Sequence, residues 1–275
     1  MDRRSFLGTV TAAGILANRL AFAAEKKIEK VGLQLYTVRD QMKADFTGTL
    51  AKVAKIGYRE MEFAGYFDNS PQEVRRLLDE NGLTAPSAHI EYDHIVNKTS
   101  EVIEASKVVG HTYVVCPHLS EEMRSDAAAW KKIAQALTKA GAETKKAGIQ
   151  LAYHNHNFEF KMFDGKSGYD ILLEESDPKL VKMEMDLYWT TKAGADPLKY
   201  FAKYPGRFPL VHVKDMDKAG DFAEVGSGTI DWKPIFAKAQ EAGIKHYFVE
   251  QDQSKDPFAS IKASFDYLHD LRFAG

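Results

Sequence analysis

The sequence predicts an α/β protein that folds as a single (β/α)8 barrel of the TIM type. Eight apolar segments of strand length recur along the chain, and an amphipathic segment rich in Lys, Glu and Ala follows each of them. No stretch rich in Pro, Gly and Ser divides the chain into separate parts. Regular alternation of strands and helices is typical of parallel sheets, and eight such units close into a barrel.

The predicted strands mostly lack strict alternation of polar and apolar residues, as expected when both faces of a strand are covered. They lie at residues 31–38, 58–65, 83–90, 112–118, 149–160, 181–189, 209–216 and 246–252. The predicted helices lie at residues 42–56, 71–81, 98–109, 126–147, 168–175, 196–204, 231–242 and 257–272. Asp126 opens the fourth helix and Gly243 follows the seventh, at positions where these residue types begin and end helices.

The amino-terminal segment has the features of a twin-arginine export signal. Arg3 and Arg4 precede a short apolar stretch, and Ala21-Phe22-Ala23 supplies small residues for cleavage. The apolar stretch is too short for a permanent membrane span. We therefore expect removal of residues 1–23 and a periplasmic or otherwise exported protein, with the barrel over residues 28–272. That leaves roughly 250 residues, the usual size of such a barrel.

Composition and charge limit the classes of partner. Hydrophobic residues make up 44% of the chain and charged residues 28%, as in ordinary globular proteins. The formal net charge of −2 provides no basic surface, so we expect no nucleic-acid partner. Cys116 is the single cysteine, so an internal disulfide is excluded, and its apolar neighbours predict that it is buried. The sequence leaves open whether the protein forms a homo-oligomer.

Ionisable residues lie at or near the ends of the last four predicted strands: His154, Asp186, His212 and Glu250. Core strands rarely carry such groups unless the groups are paired or bind a metal. Alternate residues of a barrel strand point inward, so these side chains are predicted to meet at one end of the barrel. Carboxylates with imidazole suit one divalent ion, such as Mn²⁺, Co²⁺, Fe²⁺, Zn²⁺ or Mg²⁺.

This predicted site suggests chemistry on a small carbohydrate. A cation with open positions can bind the carbonyl and hydroxyl oxygens of a sugar, acidify the C–H beside the carbonyl and stabilise the enediolate. Isomerisation or epimerisation of a sugar or keto-sugar is the leading hypothesis. Lys214 shares a face with His212 and could stabilise an oxyanion, although a salt bridge to a neighbouring carboxylate is an equal interpretation.

Several motifs give the chain a resemblance to a known family. MDLYW, HVKDM with the later GSGTIDW, and FVEQD resemble segments of the xylose-isomerase-like TIM barrels, sugar (phosphate) isomerases/epimerases that include ketose 3-epimerases and inosose dehydratases. The resemblance covers residues 28–272. It implies one divalent metal held by Glu, Asp, His and Glu from strands five to eight. Asp186, His212 and Glu250 match the last three of these positions.

The first ligand position departs from the family pattern. His154 stands in the motif Y-H-N-H, where the epimerases have Glu followed by Asn. The epimerases use the glutamates of strands five and eight as opposed proton-transfer groups, so the resemblance implies proton transfer by Glu250 and, here, by His154. The substitution favours an alternative reaction, elimination or hydration on a keto-sugar, keto-glycoside or inosose. Trp189 replaces a family histidine, which implies sugar stacking or packing.

Other residues are weaker candidates for substrate binding. His89 could bind substrate hydroxyls or be a hydrogen-bonded wall residue, and Glu62 could contact metal or substrate. His156 either binds substrate or orients Glu159. Glu184 competes with Asp186 as a metal ligand, and the preferred interpretation is a group that supports the ligand Asp186. Gln34 and Tyr36 are predicted to line the pocket floor, and Glu60 or Glu62 could pair with a nearby basic residue. No role is predicted for the remaining histidines, which are His94, His111, His118, His246 and His269.

The loop Gly226-Ser227-Gly228 lies where many such barrels bind phosphate. It lacks the sequence context of a P-loop, so a turn that leads into a helix is the preferred interpretation. Two other classes remain alternatives: a non-catalytic periplasmic sugar-binding protein and a DNA-repair endonuclease built on the same barrel. The charge balance and the export signal argue against the endonuclease.

Overall fold

The computed structural model describes residues 25–274, so the predicted export segment lies outside the described residues. Eight parallel strands form a closed barrel, which confirms the predicted fold. They are β1 (Gly32–Gln34), β2 (Glu60–Phe63), β3 (Thr84–His89), β4 (Tyr113–Cys116), β5 (Gln150–His154), β6 (Val181–Asp186), β7 (Leu210–Val213) and β8 (His246–Val249). Each strand pairs with the next in chain order, and β8 pairs with β1 to close the barrel.

Helices surround the barrel at the predicted places, and the two helices predicted at residues 42–56 and 231–242 are each split into two. They are α1 (Arg39–Ala44), α2 (Phe46–Ile56), α3 (Pro71–Glu80), α4 (Tyr92–Asn97), α5 (Thr99–Val109), α6 (Ala127–Lys146), α7 (Gly168–Glu175), α8 (Leu187–Lys192), α9 (Pro197–Lys203), α10 (Trp232–Ala237), α11 (Ala239–Ala242) and α12 (Pro257–Asp270). Within residues 25–274, no helix has the length and apolar character that a membrane span requires.

Two predicted strands are shorter in the structure because polar side chains cap the helices that follow, and a third ends early without such a cap. β6 stops at Asp186, whose carboxylate Oδ1 accepts a hydrogen bond from the backbone N–H of Trp189 at 2.8 Å. This is an N-cap contact, so the chain turns into α8 where the sequence analysis continued the strand. β1 stops in the same way at Gln34, which caps a 3₁₀ helix over Leu35–Val38. β5 stops at His154, and Phe158–Phe160 is also a 3₁₀ helix.

The barrel interior contains a small apolar cluster. Its members are Tyr113, Val115, Ala152, Leu210 and Phe248. Successive inward residues of a strand lie two positions apart. The next inward residues along β5, β7 and β8 are therefore His154, His212 and Glu250. The fold thus places ionisable side chains directly beyond this apolar cluster, toward the carboxyl-terminal end of the barrel.

Candidate functional site

The outer part of the ionisable layer consists of Asp186, His212 and Glu250, whose ligand atoms lie within 4.8 Å of one another. His212 Nδ1 lies 2.9 Å from Glu250 Oε2 and 3.8 Å from Asp186 Oδ2. All three side chains are buried. Asp186 Oδ2 forms no hydrogen bond with any described residue. We call these three residues the outer set, and its donors fit a divalent cation.

Lys214 supplies the positive charge beside the outer set. Its ammonium lies 2.6 Å from Glu250 Oε2, 3.1 Å from Asp186 Oδ2 and 3.1 Å from Asp252 Oδ2. The contact with Asp186 lies outside hydrogen-bond geometry, which is why that oxygen counts as unpartnered. Lys214 is buried and forms the predicted salt bridges, and it also lines the cavity. Stabilisation of an oxyanion by this residue stays a prediction.

His154 lies beside the outer set. Its Nε2 is 4.0 Å from Asp186 Oδ2, and its ring centroid is 4.5 Å from that of His212. The other nitrogen, Nδ1, lies 3.2 Å from Glu184 Oε2 but forms no hydrogen bond with any residue of the described range. The structure therefore brings all four predicted metal ligands together, with His154 in the position of a fourth donor.

A second group of side chains lies one layer deeper. Glu184 precedes Asp186 by two residues on β6, so both point into the barrel. Glu184 Oε2 lies 2.7 Å from His89 Nε2 and 3.2 Å from His212 Nε2. Glu62 lies nearby, and its Oε1 is 2.6 Å from His212 Nε2. We call His89, His154, Glu184 and His212 the inner set.

The charges of the site follow from burial and from these contacts. Burial opposes ionisation of Glu250, but the Lys214 ammonium and the His212 imidazole lower its pKa well below the usual value. Burial also opposes charge on Lys214, yet Asp186 and Glu250 raise its pKa. Burial and the neighbouring imidazole of His212 lower the pKa of His154 well below its usual value. Glu250 is therefore a carboxylate, and His154 is a neutral imidazole with a free lone pair.

A cavity of about 840 Å³ opens above these residues at the carboxyl-terminal end of the strands. Five of the predicted site residues line it: His89, His154, His156, Lys214 and Glu250. Tyr36 also lines the cavity, as expected from β1, and is 42% exposed. The size is that of an ordinary small-molecule site.

Two residues predicted to bind substrate lie outside this lining. Glu62 is fully buried, where it accepts a hydrogen bond from Gln34 Nε2 at 2.8 Å and another from the Ser87 hydroxyl. Trp189 packs against the His156 ring, with centroids 5.7 Å apart, and against Phe222. Both residues therefore reach the cavity only through other side chains.

The structure also places residues in the cavity wall that the sequence analysis gave no role. They are Tyr66, Glu91, His94, Glu101, His118 and Asp252, among others. His118 comes two residues after Cys116, the buried end of β4, so the rule that sites lie beyond strand ends could have found it. His94 lies on the short helix α4, within the connection that follows β3, and no sequence pattern marks it.

The strand-five segment is held by Glu159. Its carboxylate accepts a hydrogen bond from the His156 backbone N–H at 2.8 Å and contacts the Tyr153 hydroxyl at 2.8 Å. Burial raises the pKa of Glu159 to about 8. The contact is with the backbone of His156 and not with its ring, whose Nδ1 is without a partner among the described residues. Glu159 thus positions the backbone that carries His156.

The glycine loop after β7 is organised by one internal carboxylate. Asp215 Oδ2 accepts hydrogen bonds from the backbone N–H groups of Gly226 at 2.9 Å and Gly228 at 3.2 Å. The indole Nε1 of Trp232 donates to the same oxygen at 3.1 Å, and the N–H of Ile230 donates to the other. Asp215 therefore already accepts the hydrogen bonds that these backbone N–H groups could otherwise donate to a phosphate.

Comparison with known proteins finds enzymes that are similar to this chain in sequence and fold. An inosose dehydratase of Lacticaseibacillus casei is 25% identical over 275 aligned residues, which cover 81% of this chain and 88% of the relative. The structure of a sugar phosphate isomerase/epimerase from Parabacteroides distasonis matches with a TM-score of 0.78 and 29% identity, over 90% of this chain and 95% of the other. An L-ribulose 3-epimerase is 16% identical with a TM-score of 0.65, over 88% and 93% of the two chains, which shows the shared fold alone.

The relatives that share sequence with this chain are enzymes, and this chain is an enzyme as well. The match extends to the level of the family. The profile described as "Xylose isomerase-like TIM barrel" matches residues 50–271, which span β2 to α12 and all four predicted metal ligands. The chain belongs to the xylose isomerase-like TIM barrel family.

Proposed function

We propose that the protein removes a proton from the carbon beside the carbonyl of an unphosphorylated sugar or keto-sugar, with one divalent metal ion. The observation that carries this proposal is the buried outer set, whose member Glu250 lines a cavity of about 840 Å³ together with Lys214. Asp186, His212, Glu250 and His154 would hold the ion. The ion would polarise the carbonyl and stabilise the enediolate.

The chain's own residues supply the proton transfers. Glu250 lines the cavity as a carboxylate, and one of its oxygens can accept the proton from the substrate carbon. Lys214 keeps that carboxylate ionised and places positive charge near a developing oxyanion. His154 lines the same cavity from β5 and is neutral, so it can accept or return a proton from another direction. Return of the proton to a carbon gives isomerisation or epimerisation.

Elimination of water is a second candidate outcome, favoured by the departure of His154 from the strand-five glutamate of the epimerases. In that reaction Glu250 takes the proton from carbon and, as the carboxylic acid so formed, gives it to the departing hydroxyl, which leaves as water. The inosose dehydratase relatives support this candidate. Both outcomes share the first step, so both predict exchange of the substrate C–H with solvent.

The choice of an unphosphorylated substrate is supported by charge. Lys214 is the one lysine or arginine in the lining formed by the described residues, and carboxylates already contact it. The same lining contains Glu91, Glu101 and Asp252 in addition to Glu250. Asp215 fills the usual phosphate position. A phosphate dianion would therefore meet like charge, and the backbone N–H groups of the glycine loop would already be hydrogen-bonded to Asp215.

The test is a substrate screen that reads proton exchange directly. Purified protein is loaded with Mn²⁺, Co²⁺ or Mg²⁺ and incubated in D₂O with ketoses, keto-glycosides, inososes and sugar phosphates. NMR then follows deuterium at the carbon beside the carbonyl. Exchange with recovered sugar supports isomerisation or epimerisation, and loss of water supports elimination. Binding of a sugar without any exchange contradicts the enzymatic proposal and favours a sugar-binding protein. Exchange confined to sugar phosphates contradicts the substrate class.

We also propose that the mature enzyme is exported. This proposal is supported by the order of Arg3-Arg4, the apolar stretch and Ala21-Phe22-Ala23 in the sequence.

A further inference from the structure

We propose that the barrel contains a second, nitrogen-rich cation position formed by the inner set, and that an ion there excludes an ion from the outer set. Three imidazole nitrogens surround one carboxylate oxygen, Glu184 Oε2. The nitrogens are His89 Nε2 at 2.7 Å, His154 Nδ1 at 3.2 Å and His212 Nε2 at 3.2 Å. The four ligand atoms lie within 4.8 Å of one another.

These distances are close to those of a tetrahedral zinc site. Zinc lies about 2.0–2.1 Å from imidazole nitrogen and carboxylate oxygen, so neighbouring donors are separated by roughly 3.4 Å. The three nitrogen–oxygen distances of the inner set, 2.7, 3.2 and 3.2 Å, lie near or below that spacing, and its ligand atoms all lie within 4.8 Å of one another. Three nitrogens with one oxygen suit Zn²⁺, whereas the two carboxylates of the outer set suit a harder ion such as Mn²⁺.

A second observation points to a missing ligand at this place. His154 Nδ1 and Glu184 Oε1 are buried and form no hydrogen bond within residues 25–274. His154 is 3% exposed and Glu184 is fully buried. Buried polar atoms almost always have partners, so two unpartnered atoms in one cluster indicate that something else satisfies them. His89 reaches the cavity wall and gives an ion a path to the inner set.

The two sets share two imidazole rings through opposite nitrogens. His212 turns Nε2 toward Glu62 and Glu184 and Nδ1 toward Glu250. His154 turns Nδ1 toward Glu184 and Nε2 toward Asp186. A neutral imidazole has one lone-pair nitrogen and one N–H. A ring that binds an ion in one set therefore presents an N–H to the other set. The protein should therefore bind one ion at a time. Zn²⁺ in the inner set takes the lone pairs of His154 and His212, so the outer set loses these two donors.

Metal competition tests this inference with binding as the readout. Protein stripped of metal is titrated with Mn²⁺, followed by the loss of the free-ion electron paramagnetic resonance signal, and Zn²⁺ is then added. Metal content is measured by mass spectrometry after gel filtration. We expect about one Mn²⁺ per chain, released in proportion as about one Zn²⁺ is taken up. X-ray absorption of the zinc form should show three imidazole ligands.

Matched variants separate the two positions. Glu184→Gln should weaken Zn²⁺ binding at least tenfold and keep Mn²⁺ binding, and Asp186→Asn should do the reverse. His89→Gln, at a partly open position, repeats the first test in case Glu184→Gln fails to fold, with circular dichroism as the control. Simultaneous binding of both ions overturns the exclusion, and equal effects of Glu184→Gln and Asp186→Asn on both ions overturn the inner position. If the Mn²⁺-loaded protein shows no solvent exchange on any substrate but the variants change ion binding as expected, the proposed function fails and the inner position stands.

Discussion

The Lys214 ammonium lies 2.6 Å from Glu250 Oε2, and both groups are buried at the floor of the cavity. The same ammonium contacts Asp186 and Asp252. One lysine thus contacts three carboxylates, of which those of Asp186 and Glu250 are buried. Because unpaired buried charges are costly, we expect the charge of Lys214 to stabilise the fold and to keep Glu250 a carboxylate that can act as a base.

Lys214→Met keeps most of the side-chain volume and removes the charge. We expect the free energy of unfolding to fall by about 3–5 kcal/mol, since buried carboxylates lose their partner. Solvent exchange on a substrate should fall at least about 100-fold. Urea unfolding and NMR exchange measure the two effects. Lys262→Met removes an exposed pair with Asp266 and should change stability by less than about 1 kcal/mol. A Lys214→Met protein as stable and active as the wild type contradicts the account.

Asp215→Ala tests whether the glycine loop is held by its internal carboxylate. The side chain accepts hydrogen bonds from four backbone N–H groups and from the Trp232 indole. Their loss should cost about 3 kcal/mol or more. For a domain of this size the melting temperature should then fall by roughly 6 °C or more. Asp217→Ala, in the neighbouring exposed loop, should have a much smaller effect. Equal shifts in the two variants would show that Asp215 is an ordinary loop residue.

Glu159 predicts a specific dependence of stability on pH. Burial raises its pKa in the folded protein to about 8, above the usual value of about 4.3 in an unfolded chain. A raised carboxyl pKa means that the unfolded state loses its proton first. The stability from this group is therefore complete below about pH 4.3 and is lost as pH rises toward about 8.

Glu159→Gln should remove that dependence, because Gln can donate to the Tyr153 hydroxyl oxygen and accept from the His156 N–H as a protonated Glu does. Unfolding midpoints of the two proteins are compared at about pH 5.5 and about pH 8.5. The wild type should lose more stability than the variant over this interval. Parallel losses would contradict a raised pKa at Glu159.

Export is tested by replacing the paired arginines. Arg3→Lys with Arg4→Lys should leave the precursor in the cytoplasm, because the twin-arginine route requires the arginine pair. Cell fractionation measures the distribution, and amino-terminal sequencing of the periplasmic wild-type protein should begin at Ala24. Lys26→Arg with Lys27→Arg lies beyond the predicted cleavage site and should leave export unchanged. Normal export of the paired arginine variant contradicts the assignment of the signal.

The barrel could be predicted because its determinants are local and repeat along the chain. Apolar strands, amphipathic helices and their caps are each encoded within about ten residues, and strand parity alone points His154, His212 and Glu250 inward. The predicted burial of Cys116 is confirmed for the same reason, since its neighbours are apolar. Where a cap competes with strand propensity, as at Asp186, the local pattern misplaced the end of the strand.

The remaining features depend on contacts that no local pattern records. Glu62 and His212 are in contact although 150 positions separate them in the sequence. This buried contact beside the inner set therefore exists only because the barrel closes. The direction of Trp189 is set by packing against Phe222, which arrives from a later loop. The cavity wall at His94 depends on how the loops after the strands fold over the barrel.

The central claim, proton transfer by Glu250 with His154 beside the metal, is tested most directly by solvent exchange with metal content measured on the same sample. Glu250→Gln and His154→Gln are compared with the wild type and with His94→Gln, a cavity-lining control outside the proposed machinery. The account predicts that deuterium incorporation beside the carbonyl falls by about 10²–10⁴-fold in the first two variants, also when excess metal restores occupancy, and stays near wild type in His94→Gln. Metal-loaded Glu250→Gln and His154→Gln proteins that exchange as fast as the wild type would contradict it.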